Sequence, residues 1–106
     1  MAEFRYTEQA ERDLLISRVY REENSGPDAA RRLLRSIDAR CQAIADTPRM
    51  GRPRETLLPG LRSLAYDDYT IFYRIEDYGI SIQRILYGAS DIDVAFPVPE
   101  DQDTNL

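Results

Sequence analysis

LRSLAYDDYTIFYRIEDYGISIQRILYG, residues 61–88, holds five of the chain's seven tyrosines, three arginines and neither lysine nor histidine. β-Branched and aromatic residues dominate it, and two short polar breaks divide it. Asp67 and Asp68 make the first turn, and EDYG, ending at Gly79, makes the second. The stretch predicts three strands: Leu61–Tyr66, Tyr69–Glu76 and Ile80–Tyr87. Connections this short force antiparallel neighbours. By alternation Arg62, Leu64 and Tyr66 share one face of the first strand. Ile80, Ile82, Arg84 and Leu86 share one face of the last, unless a bulge intervenes. Arg62 and Arg84 are therefore expected together on an uncovered, concave face.

Upstream the period changes. Ala30, Leu33, Leu34, Ile37, Cys41, Ile44 and Ala45 form one helical stripe that stops before Pro48. Glu8–Asn24 carries Ala10, Leu14, Leu15, Val19 and Tyr20 near helical spacing, with Thr7 placed to cap it. NSGPD, residues 24–28, separates the two helices; Gly26 suits an end, Pro27 a start, and Ser25 with Asp28 resembles a capping box. EFRYT, residues 3–7, alternates like a short strand. PRMGRPRETLLPG, residues 48–60, reads as a loop made basic by Arg49, Arg52 and Arg54. The order β-α-α-β-β-β describes an α+β fold: an N-terminal strand, an αα-hairpin and a three-stranded antiparallel meander, with the helices on one face of the sheet.

A chain of 106 residues holds one domain. It is expected over residues 1–95, followed by an acidic tail, 96–106, that is flexible without a partner. The net charge of -5 equals the acids Asp91, Asp93, Glu100, Asp101 and Asp103. Residues 1–90 thus balance to zero, a poor footprint for nucleic acid held by phosphate contacts alone. No apolar run is long enough to span a bilayer, and the charged start MAEFRYTEQAERD lacks an apolar leader. A cytoplasmic location is expected, and the single Cys41 agrees with a reducing compartment. No metal or cofactor is expected.

PRMGRP (48–53), GLRS (60–63), YTIFYR (69–74) and IQRILYGASD (82–91) occur in this order after the helical hairpin. Together they resemble the RelE/ParE superfamily of type II toxin–antitoxin toxins, and its ParE branch more than its RelE branch. The likeness spans roughly residues 3–95 and rests on the ordered set of motifs. It implies a toxin that binds DNA gyrase, stalls it on cleaved DNA and performs no catalysis itself. A RelE-like member would instead cut mRNA on the ribosome. By motif position, Arg62, Arg84 and Tyr87 match basic and tyrosine residues of such nucleases. Arginine can stabilise developing charge but cannot accept a proton. The lysines common in RelE-like sites are absent, whereas Tyr87 stands where ParE-like chains often carry histidine. A third reading is a domain that only binds its antitoxin.

The resemblance further implies a ParD-like antitoxin with a ribbon-helix-helix DNA-binding part, so no specific DNA binding is expected of this chain alone. Arg52, Arg62, Tyr73, Arg74, Arg84 and Tyr87 are the candidates for target or antitoxin recognition. Leu14, Tyr20, Leu33 and Ile37 are expected to line a groove for the antitoxin. Each has a plain alternative: the arginines pair with acids or stay solvated, and the tyrosines and leucines pack.

Overall fold

Thr7 ends the first strand and starts the first helix. Its extended backbone lets its hydroxyl accept the Ala10 N–H, capping the helix. The same hydroxyl donates to the Ile82 carbonyl at 2.9 Å. In this computed structural model, which describes residues 2–88 and 95–96, the chain runs β1 (Glu3–Tyr6), α1 (Glu8–Ser25), α2 (Pro27–Asp46), a 3-10 turn (Pro48–Met50), β2 (Arg52–Pro53), β3 (Leu61–Tyr66), β4 (Tyr69–Glu76) and β5 (Gly79–Tyr87). The sheet order is β1-β5-β4-β3-β2, with β1 parallel to β5 and the other pairs antiparallel.

The α2 stripe is buried at Ala30, Leu33, Ile37, Cys41, Ile44 and Ala45, whereas Leu34, expected in it, is half-buried at its margin. It packs on Tyr69, Ile71, Tyr73, Ile80, Ile82 and Ile85 to make the main core. Each isoleucine fully removed from water stabilises by roughly 2 kcal/mol. At the α2–β1 junction the Tyr6 hydroxyl donates to Asp38 and, at 3.8 Å, to the Cys41 sulfur. Burial, then the bond to Asp38, raises the Tyr6 pKa. Burial also pushes the Cys41 thiol up to about 12.

Four expectations need correction. The Ser25–Asp28 capping box does not form, because one residue, Gly26, is all that separates the helices; Asp28 pairs with Arg31 instead. The loop at residues 48–60 contains a two-residue edge strand, β2, which tolerates Pro53 because an edge residue needs no N–H donor outward. A bulge in β5 sets Tyr73 opposite Ile82 and Phe72 opposite Arg84, so Gln83 is the extra residue. Ile85 thereby joins Ile80 and Ile82 under the helices, while Arg84 and Leu86 turn to the other face. Lastly, that other face is not bare. Leu61, Phe72 and Leu86 are buried there beneath Leu57, Leu58, Ala95 and Phe96, with the Phe72 and Phe96 rings 4.9 Å apart. The remaining tail, 97–106, and Asp91 lie outside the described residues.

Candidate partner-binding surface

Two of the sheet arginines that look like a recognition set, Arg62 and Arg84, are engaged inside the chain. Arg62 stands opposite Tyr73 on the helix-side face. Its Nε donates to the Gly51 carbonyl at 3.0 Å and a terminal nitrogen to the Arg49 carbonyl at 3.1 Å. Tyr73 fixes the same turn: its hydroxyl donates to the Pro48 carbonyl at 2.6 Å and accepts the Gly51 N–H at 2.9 Å. Gly51 is required there, since a Cβ would sit 2.5 Å from that hydroxyl. Tyr73 is 0% exposed. Its expected place on a recognition surface is corrected to a core post that holds the basic loop.

Arg84 reaches Asp13 on α1 in a fork, Nε to Oδ2 at 2.8 Å and a terminal nitrogen to Oδ1 at 2.9 Å. Asp13 Oδ2 also accepts the Ile85 N–H at 2.9 Å. β1 pairs with β5 only as far as Ile82. Asp13 therefore satisfies a backbone donor of β5 beyond the end of β1. Arg74 is exposed on the face away from the helices, and Arg52 is exposed on β2.

Arg62 does not converge with Arg84 and Tyr87. Tyr73 and Phe72 are adjacent on β4 and point to opposite faces, so Arg62 and Arg84, their partners in the ladder, do likewise. Tyr87 lies opposite Tyr69. Four residues of β4 separate that rung from the Arg62 rung, about 13 Å along the strand. Arg84 and Tyr87 line one hollow of about 380 Å³ together with Asp13 and Ile16, and Arg62 takes no part in it. The expectation of one concave face bearing both arginines is thus overturned by the bulge at Gln83. Among the described residues no group of His, Cys, Asp or Glu could hold a metal ion.

What the surface does offer is apolar. Leu15, Ile16, Val19 and Tyr20 of α1 are exposed, Ile16 by 68% and Tyr20 by 61%, and Tyr87 is exposed by 59%. Ile16, Ser17, Tyr20, Tyr69 and Tyr87 enclose a hollow of about 320 Å³. The Tyr87 ring meets Tyr69 edge to face at 5.4 Å. A second hollow, about 340 Å³, runs between the helices past Leu14, Leu15 and Leu34. Contiguous exposed apolar surface of this kind is the usual mark of a protein interface.

Tyr20 and Leu14 thus stand where a groove was expected, one in each hollow. Leu33 and Ile37 do not: at 7% and 0% exposure they belong to the core, because they lie on the sheet-facing side of α2. Ile16, Tyr69 and Leu34 are site residues that the sequence reading missed. A signal was present. Leu14, Leu15, Ile16, Val19 and Tyr20 put five apolar side chains within seven residues, more than one helix face can bury against a single neighbour.

The chain matches the family model described as "ParE toxin of type II toxin-antitoxin system, parDE" over residues 4–92. It is 35% identical over 69 residues to Toxin ParE1 of Mycobacterium tuberculosis, a match covering 64% of this chain and 70% of that one. It is 33% identical over 79 residues to Toxin ParE3 of Caulobacter vibrioides, covering 73% and 79%. Among solved structures, one titled "Chromosomal ParDE TA system from P. aeruginosa" aligns with a TM-score of 0.71 at 24% identity, over 84% of this chain and 98% of that chain. At that identity the structural likeness speaks for the fold. The family match covers both helices and all of the sheet but Glu3, and on it the chain belongs to the ParE toxin family of type II toxin–antitoxin systems.

Proposed function

We propose that this chain is a cytoplasmic toxin that poisons DNA gyrase by binding it, and that a cognate ParD-like ribbon-helix-helix antitoxin neutralises it by covering the same molecule. The observation that carries the reading is the exposed apolar surface of α1 and β5, centred on Ile16, Tyr20 and Tyr87 around a hollow backed by the buried Tyr69. A surface of this composition takes up a protein partner through aromatic anchors in hollows. The action needs complementarity alone, and the separation of Arg62 from Arg84 and Tyr87, with Arg84 held by Asp13, withholds support from the nuclease alternative. With 14 acids against 14 bases in residues 1–90, specific DNA contact belongs to the antitoxin and not to this chain. No helix among the described residues is long and apolar enough to cross a membrane.

Size-exclusion chromatography tests the pairings. The toxin should elute with purified gyrase, and added antitoxin should move it into a toxin–antitoxin peak. A folded toxin that elutes alone beside excess gyrase contradicts the proposal.

A further inference from the structure

The face of the sheet away from the helices carries a further hollow with a different chemistry. β2 pairs only with Arg62 and Ser63 of β3. Beside it lies a depression of about 470 Å³, lined among others by Met50, Arg52, Arg54, Ser63, Ala65 and Thr70. Arg52 stands opposite Ser63, Ser63 opposite Phe72, and Ala65 opposite Thr70. These residues therefore share the face that bears Phe72. Ser63, Leu64, Ala65 and Thr70 make the floor, and among the described residues no carboxylate lines the hollow.

Arg54 is already aimed across this floor. A terminal nitrogen donates to the Ser63 hydroxyl at 3.1 Å, and its guanidinium lies 5.6 Å over the Phe72 ring. The neighbouring acid, Glu55, accepts the Gly60 N–H. Among the described residues neither Arg52 nor Arg54 has an ion pair. The two lie two residues apart, about 6.6 Å along an extended chain. The Arg54 N–H donates to the Leu61 carbonyl at 2.7 Å. Leu61 therefore directs its backbone groups away from β4, and by alternation so do Ser63 and Ala65. Ala65 lies past the end of β2, and its N–H and C=O are open to an added strand.

We propose that this depression docks an extended segment of a protein partner bearing two carboxylates two residues apart. Such carboxylates repeat at the same spacing as the two arginines and meet them as forked, charge-assisted pairs. The segment's backbone adds to β3 at Ala65, and Met50 supplies an apolar contact. Single-stranded nucleic acid fits less well, because among the described residues no aromatic ring lines the hollow for a base to stack on. The inference rests on the protein-binding reading above, and it concerns a face separate from the α1 patch.

The test is an amide NMR titration of the isotope-labelled toxin with the peptide Ac-Thr-Glu-Val-Glu-Thr-NH2, with its counterpart carrying Gln for both Glu, and with a short single-stranded RNA. The acidic peptide should shift the amides around Arg52, Arg54, Ala65 and Thr70. It should bind at least about tenfold more tightly than the Gln peptide. Arg52→Ala with Arg54→Ala should remove that preference, and so should Thr70→Glu, which keeps both arginines but places a carboxylate on the floor. The free amide spectrum of each variant reports whether it is folded. Equal binding of the two peptides, no shifts up to about 1 mM, shifts mapping elsewhere, or tighter binding of the RNA would each overturn the proposal. Gyrase binding is measured separately on the same proteins. A toxin that binds gyrase but ignores the peptide refutes this site alone; one that binds the peptide but ignores gyrase refutes the gyrase reading alone.

Discussion

Asp13 explains why Arg84 was hard to read from sequence. Arg84 looks like a recognition residue on a strand, and Asp13 looks like one more solvated acid on a helix. They lie 71 positions apart, and the structure makes them one forked pair on the Ile85 N–H. Removing the acid leaves a largely buried guanidinium and a backbone donor without it. Asp13→Ala should cost about 3 kcal/mol. Asp13→Asn, which still accepts from Ile85, should cost about half that. Urea denaturation followed by circular dichroism measures both, and an unchanged midpoint for Asp13→Ala would show the clamp to be idle. Cys41 makes a second prediction at this scale. Its thiol ordinarily titrates near 9 and is pushed up to about 12 by burial. The folded chain holds that proton more tightly than the unfolded one. Its contribution is complete below pH 9 and is lost as pH rises towards 12. Between about pH 8 and about pH 10.5 the native chain should lose more thermal stability than Cys41→Ala. Equal losses would contradict it.

At the scale of elements, the strongest periodicities were the legible ones. The α2 stripe and the β3–β4–β5 meander could be read because each buries a face at its own period. The bulge in β5 left no mark in the sequence, and it decides which face Arg84 occupies. β2 was hidden in a proline-rich loop because only two of its residues pair. Parallel docking of β1 on β5 depends on Gly79, where φ is +147° and a Cβ would lie 1.9 Å from the Glu3 carbonyl oxygen. Gly79→Ala should therefore detach β1. Hydrogen exchange at the β1 amides should accelerate by at least about tenfold, equivalent to about 1.4 kcal/mol of lost protection. Unchanged exchange would mean that the backbone shifts to make room. α1 carries the functional prediction at this scale. Ile16 and Tyr20 are mostly exposed, so Ile16→Glu with Tyr20→Asp should change stability by less than about 1 kcal/mol. Antitoxin affinity should fall by at least about thirtyfold, the loss of a binding anchor. Calorimetry with the purified pair decides it, and undiminished affinity would move the interface elsewhere.

For the molecule as a whole, the family resemblance was legible because four motifs fall in order on one hairpin and one meander. The site was legible only in part. Tyr20, Leu14 and Tyr87 were named and are at the surface; Tyr73, Leu33 and Ile37 were named and are interior. The difference lies in which side of an element each side chain takes, and that is set by packing partners distant in sequence. What remains exposed is an apolar α1–β5 face and a basic hollow on the opposite side of the sheet, two surfaces suited to holding proteins. The direct test of that account is to incubate purified toxin with gyrase, supercoiled plasmid and ATP, and to quantify linear DNA trapped by the enzyme. The account predicts that cleaved DNA accumulates with toxin, that antitoxin abolishes the effect, and that Ile16→Glu with Tyr20→Asp weakens it. Folded toxin in large excess that traps no cleaved DNA would contradict the claim that this chain is a gyrase poison.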